Sequence, residues 1–476
     1  MIRRLGLPPQ SITQRLKNTL ARPIVLACMF FAAVSGSGCE PLPATRPVYR
    51  PTTSPQATAP APVPAQSQVV QRRIVLPLIA SVQREPNVRV RIAQDQPRAD
   101  ISAAGGLLVG PADTTFTTHA RRYSTAVAVI QYQGAFVITD ANRQSIKWAL
   151  PALMLSPVSA GSPITYNGKS YPGSIALVPS LDAQNRPTGK LDVVNHVGME
   201  SYLPGVVERE LYGSWEPTTF RAAAIAARTY AVFESSLNTH KPYDLESSTA
   251  SQAYSGHTTN PKATAAVAQT RGMLLEYQGR IVPAFYSSAC GGSGQDAVAA
   301  FTWLPGLPDI EPLRGRDHGA CCRASDKFRW GPITRTKTDL DQRIRAWGVK
   351  EGHPIKSLRG IRDIRVTRVN AVGRPTAFAI TDLAGMTYTL GPEQFRFACN
   401  IEAPGLGAVP KEQKLNSSHV QVTTGAAAVT FHNGRGYGHG VGLCQFGAQG
   451  LAKTGYNEYS ILAYYYPGSR VVRAYP

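Results

Sequence analysis

ESYLPGVVERELYGSWEPTTFRAAAIAARTYAV, residues 200–232, is where the chain changes character. Read as a helix, 200–211 puts Leu203, Val206, Val207 and Glu210 at i, i+3, i+4 and i+7, on one face. Glu208 then points about 150° away at 100° per residue. Pro204 is tolerable in the first turn. Pro217 suits the first position of a second helix over 217–238. Its stripe is Phe220, Ala223, Ala224, Ala227 and Ala231, with Arg228 at the edge. Side chains this small predict very close packing.

Upstream, 70–195 reads as strands: VRVRIAQ (88–94), AVAVIQYQGAFVIT (126–139), ITYNGKSYPGSIALVP (164–179) and KLDVVNHV (190–197). The runs are short, β-branched and broken by Gly, Asn and Pro. Downstream, Asn260, Pro261 and Gly272 bracket a third helix over 261–271. A hairpin turning at Gln278-Gly279 should follow, with a helix near 338–350 and three strands in 360–395. The expected fold class is α+β. A β-rich portion (70–195) precedes a mixed helix/strand catalytic core (196–325 and 396–475), which carries an inserted β-rich subdomain (326–395).

The second informative stretch is GRGYGHGVGLCQFGAQGLAKTG, 434–455. As an extended chain it would show bare backbone on one face and Arg435, Tyr437, His439 and Val441 on the other. Five alternating glycines need a reason, and close approach of a ligand or another backbone supplies one. A flexible loop is the bland alternative. The stretch runs into a helix at about 445–453. GAQGLAKT (447–454) superficially resembles a phosphate loop, but Ala452 stands at its second glycine and no buried apolar strand precedes it.

The 476 residues carry a formal net charge of +20, without a block of five or more basic residues. A basic nucleic-acid arm is therefore not expected. The charge serves solubility or weak attraction to an anionic polymer or surface. Arg3, Arg4, Arg15, Lys17 and Arg22 precede the apolar run Ile24–Val34 and the small-residue segment SGSGC, the order of a secretory signal (1–38). Cys39 stands where bacterial lipoproteins carry a lipidated cysteine, although Gly36 replaces the usual aliphatic residue. Residues 39–69 form a Pro-rich linker. The mature chain is expected outside the cytoplasm, as a membrane-anchored lipoprotein or a periplasmic or secreted protein.

Glu210 is the candidate catalytic acid. Apolar neighbours cost its charged form hydration and raise its pKa, and a neutral acid protonates the leaving oxygen in glycosidic cleavage. The bland reading is a surface Glu on a helix. Tyr437 and Arg435 could stack on or bond to a sugar, or be surface residues, and His439 could be functional or structural. Cys290, His318, Cys321, Cys322 and Cys444 offer thiolates and an imidazole suited to zinc. Disulfides are the alternative in an oxidising compartment.

ESYLPGVVERELYGSWEPTTFRAAAIAARTYAV, SACGG (288–292) and GYGHGVGLCQFGAQGLAKTGY followed by ILAYYYPGS resemble, in order, three motifs of the SpoIID family. These are the stage II sporulation protein D and amidase-enhancer-like proteins of bacterial envelopes, and the resemblance spans about 85–472. It implies a peptidoglycan lytic transglycosylase with Glu210 as general acid and base. Arg228, Tyr437, Gly438, His439, Gly440 and Gln445 would bind substrate. No cofactor is required, though a structural zinc is implied by some members. The implied partners are glycan strands, a cell-wall amidase in the non-catalytic alternative, and the membrane through a lipid on Cys39. The chain departs from the family at Ser287, where many relatives have His, and at Gly319, where some have the first Cys of a C-x-x-C pair.

Overall fold

The computed structural model describes residues 73–182, 184–248 and 251–476. The expected signal, the linker and Cys39 lie outside the described residues.

The fold is α+β. A seven-stranded sheet runs in the order Leu245–Glu246, Asn87–Gln96, Pro187–Gly198, Ser174–Leu181, Leu153–Pro157, Leu107–Pro111 and Arg121–Tyr123. A six-stranded sheet runs Lys169–Tyr171, Ile164–Tyr166, Ala99–Ala103, Val127–Tyr132, Ala135–Thr139 and Ser145–Trp148. Alternation sends Val88 and Val90, Val127 and Val129, and Leu153 and Leu155 into one core. That core continues beneath the helices.

The strand Pro187–Gly198 leads directly into the helix Met199–Glu210, which buries Leu203, Val206 and Val207 as the periodicity predicts. The helix Pro217–Leu237 is central: Phe220, Ala222, Ala224, Ile225 and Phe233 are all fully buried. Its alanines let the helices Met199–Glu210, Pro261–Gln269, Gln445–Lys453 and Glu458–Tyr465 and the strand Met273–Tyr277 approach closely. Glu216 at its N-cap makes no side-chain cap. Gln449 does this from another helix, its Oε1 accepting from Glu216 N at 2.9 Å and Thr219 Oγ1 at 2.8 Å. Asn260 caps Pro261–Gln269 as expected, and Gln278-Gly279 turns the hairpin with both φ positive.

The inserted subdomain differs from expectation in extent. Its separate core runs from Ile333 to Phe431 and so continues well past 395. The helix Pro392–Asn400 faces that core, with Phe395 stacked on Phe378 at 4.0 Å. The strands Gln421–Thr424 and Ala428–His432 complete a sheet with Ile333–Thr336. The helix expected near 338–350 is present as Lys337–Lys350 and supplies Leu340, Ile344 and Trp347 to the insert core. Sequence pattern missed the boundary because apolar periodicity does not say which of two cores a face joins.

The alternating-glycine stretch is not an extended ribbon. Gly436, Gly438, Gly440 and Gly442 all take positive φ. A Cβ on Gly436 would lie 2.4 Å from Ala289 O, and one on Gly442 would lie 2.1 Å from Phe285 O. At Gly436 and Gly442 the approach that excludes side chains is that of the protein's own backbone, the second of the two reasons sequence allowed, whereas Gly434 and Gly440 are closed off by the side chains of Trp330 and Arg374.

Candidate active site

Glu210 closes the helix Met199–Glu210. The loop that meets it is seated by a glycine. At Gly205 an added Cβ would lie 2.1 Å from Gly256 O, so the 251–257 segment presses against the helix. Ser255 N and Oγ both donate to Gly205 O. That seating brings Ala253 N within 3.1 Å of Glu210 Oε1. The other oxygen accepts from Gln445 Nε2 at 2.8 Å. Gln445 opens its own helix, placed there by the parallel pairing of Leu443 and Cys444 with Tyr286 and Ser287.

Burial raises the Glu210 pKa, and the hydrogen bonds from Gln445 and Ala253 oppose it without cancelling it. The helix C-terminus further disfavours negative charge. On its inner side Glu210 borders a small apolar space with Val206, Val207, Ala223, Ala227 and Leu443. On its outer side it lines a groove of about 600 Å³. Tyr212, Trp215 and Phe446 form one wall, with ring centroids 5.0–5.8 Å apart. Ser255, Ser288 and Glu208 add polar groups. The aromatic wall was not picked out from sequence. Tyr212, Trp215 and Phe446 lie in two distant segments, and only the fold joins them.

The remaining site candidates separate. Gln445 is at the acid. Arg228 is not a substrate ligand in this geometry: it is fully buried and pairs with Glu200 at 2.7 Å. Its other donors go to Val267 O, Met273 O and Thr270 Oγ1. Nor is His439 free to take one: Nε2 donates to Tyr286 O at 2.8 Å and Nδ1 accepts from Val441 N at 3.0 Å. Burial pushes its pKa down to about 4, so the ring is neutral. Gly440 abuts the buried Arg374, Gly438 abuts Ser287, and Tyr437 is exposed. None of these four lines the groove. Arg374 was missed altogether. It reaches from the insert to donate to Ser293 O at 2.8 Å and His439 O at 2.9 Å.

The cysteines do cluster. The sulfurs of Cys290, Cys322 and Cys444 lie within 4.8 Å of one another, and all three are buried. Cys290 and Cys322 are 3.8 Å apart, whereas a disulfide needs about 2.0 Å. Tetrahedral zinc with Zn–S of about 2.3 Å would set its ligands about 3.8 Å apart. Sulfur contacts from Cys290, Cys321 and Cys444 hold the Cys322 thiol low, while Cys290 is pushed up to about 12. His318 is buried nearby with Nδ1 lacking a hydrogen-bond partner, its ring against Tyr465, whose hydroxyl meets Cys321 Sγ at 3.2 Å. The donor set fits zinc. Cys399 lies apart in the insert core.

Together these features define a mixed α/β protein with a half-buried acid, Glu210, at an aromatic-walled groove. Residues 187–277 match the SpoIID family model, described as Stage II sporulation protein. An uncharacterized protein of Brachyspira hyodysenteriae is 28% identical over 313 residues, covering 65% of this chain and 74% of its own length. Stage II sporulation protein D of Bacillus subtilis is 27% identical over 297 residues, 59% of this chain and 76% of that protein. The Amidase enhancer of Bacillus subtilis is 25% identical over 351 residues, 69% of this chain but only 48% of that protein. Over these residues the chain is similar to the SpoIID family.

Proposed function

We propose that the protein is a lytic transglycosylase of peptidoglycan, acting in the cell envelope, with Glu210 as its single general acid and base. The observation that carries this reading is the Glu210 carboxyl: raised in pKa, oriented by Gln445 and Ala253, and open to an aromatic-walled groove. Tyr212, exposed and backed by Trp215, offers a ring to a sugar. The neutral carboxyl gives its proton to the oxygen joining N-acetylmuramic acid to N-acetylglucosamine as the C1–O bond breaks. The muramyl C6 oxygen bonds to C1, and its proton passes to the Glu210 carboxylate. The acid is thereby restored and a 1,6-anhydro end is left. An intramolecular nucleophile has a high effective concentration, so a second catalytic carboxylate is not required.

A zinc held by Cys290, Cys322, Cys444 and a fourth donor from Cys321 or His318 would be structural, tying the SACGG segment to the Gln445 helix. A diacylglyceryl group on Cys39 would anchor the chain, and mass spectrometry of the membrane fraction tests it. The test of the reaction is digestion of purified peptidoglycan with products identified by mass. Wild type should release anhydro-muropeptides, and Glu210→Gln should lose about 10²–10⁴-fold or more in rate. Equal rates would refute the assignment. The similarity to an Amidase enhancer favours one second reading, a non-catalytic activator. It predicts no cleavage by wild type, but faster stem-peptide release when a wall amidase is present.

A further inference from the structure

The seam between the two cores holds a second groove, of about 430 Å³, that the catalytic reading does not use. Its core side is the 296–302 segment, and its insert side runs from Arg368 to Gln394. Two large rings stand beside it in the open. Trp303 is 47% exposed and Phe397 is 42% exposed, with centroids 5.9 Å apart. They belong to the rim by construction. Trp303 follows Thr302 in the chain, and Phe397 lies one helical turn beyond Gln394, both of those neighbours lining the groove. Gly391 holds the two sides together, because a Cβ there would lie 2.8 Å from Thr302 Cγ2. An aromatic pair this exposed, bridging two substructures, marks an interaction site rather than packing.

The lining decides the chemistry. Thr302, Thr376, Thr389 and Gln394 offer hydroxyl and amide groups, Asp296 adds a carboxylate that accepts from Gly315 N at 2.7 Å, and Arg368 is an exposed cation. Arg396 lies over the Phe397 ring at 4.6 Å. Arg396 is held by Glu393, so Arg368 is the cation at the edge; with the stacking faces and hydrogen-bonding groups it suits a polymer of amide-bearing sugars with carboxylate substituents. We infer that this seam is an accessory glycan-binding site, through which the enzyme grips a wall polymer away from the cutting groove. The identity of the polymer rests on the transglycosylase reading, but the binding does not require cleavage.

The experiment is co-sedimentation with insoluble purified peptidoglycan, with Glu210→Gln in every protein so that no substrate is consumed. Trp303→Ala and Phe397→Ala, each checked for an unchanged melting temperature, should weaken retention at least about fivefold. Val349→Ala, at an exposed position elsewhere on the insert, is the control and should bind as the parent does. Retention unchanged by either aromatic substitution would overturn the site. A wild type that binds through these residues yet releases no anhydro ends would refute the catalytic reading and leave this one standing.

Discussion

The Gln445 amide donates to Glu210 Oε2 at 2.8 Å across 235 positions of sequence. This bond stabilises the charged carboxylate and so works against the burial that raises the Glu210 pKa. Gln445→Ala should therefore raise it further. The alkaline limb of the pH–rate profile, where the acid loses its proton, should move to higher pH in that variant. An unmoved limb would detach Glu210 from the profile.

The same raised pKa carries a stability consequence. Between the unfolded and folded pKa values the unfolded chain has lost the Glu210 proton and the native one has not. Stability is then lost as pH rises through that window. Glu210→Gln removes this loss, so its melting temperature relative to wild type should climb from acidic to neutral pH. A constant difference would mean that burial does not govern the group.

For His439 the sign is opposite. Its native pKa of about 4 lies below the ordinary 6.5, so the unfolded chain takes up a proton first as pH falls. Wild type should lose stability between about pH 6.5 and pH 4, by at most about 1.4 kcal/mol per pH unit from this group. His439→Gln should flatten that limb in thermal melts, whatever its cost at neutral pH.

Arg228 and Glu200 make a buried ion pair. Removing one partner strands the other, so Arg228→Met should cost about 3–5 kcal/mol in denaturant unfolding. The double variant with Glu200→Met should recover much of that. Additive losses would show that the pair is not the source.

Gly440 has φ +74°, and its Cβ would lie 2.1 Å from Arg374 Nη1. Gly455 has φ +91° with nothing within 4 Å. Gly455→Ala should cost about 1–2 kcal/mol from backbone alone, and Gly440→Ala clearly more. Equal costs would remove the contact from the argument.

Local signals were legible where the physics was local. The Glu210 stripe, the Pro217 and Asn260 helix starts and the Gln278-Gly279 turn each depend on neighbours a few residues away. They appear as read. The Gly434–Gly442 alternation was legible as a close approach but not in its partner. Glycine records that space is missing, not what fills it.

By itself, then, the chain determined a β-rich portion, a set of helices and one acid on an apolar face, because periodicity and capping are written in short spacings. Tertiary structure alone decided that Arg228 is an internal pin, that His439 bridges backbone groups, and that the insert runs on to Phe431. It alone brought Gln445 and Ala253 to Glu210. The reason is that a side chain's role depends on what long-range packing sets against it, and burial and partnership are properties of the assembled core.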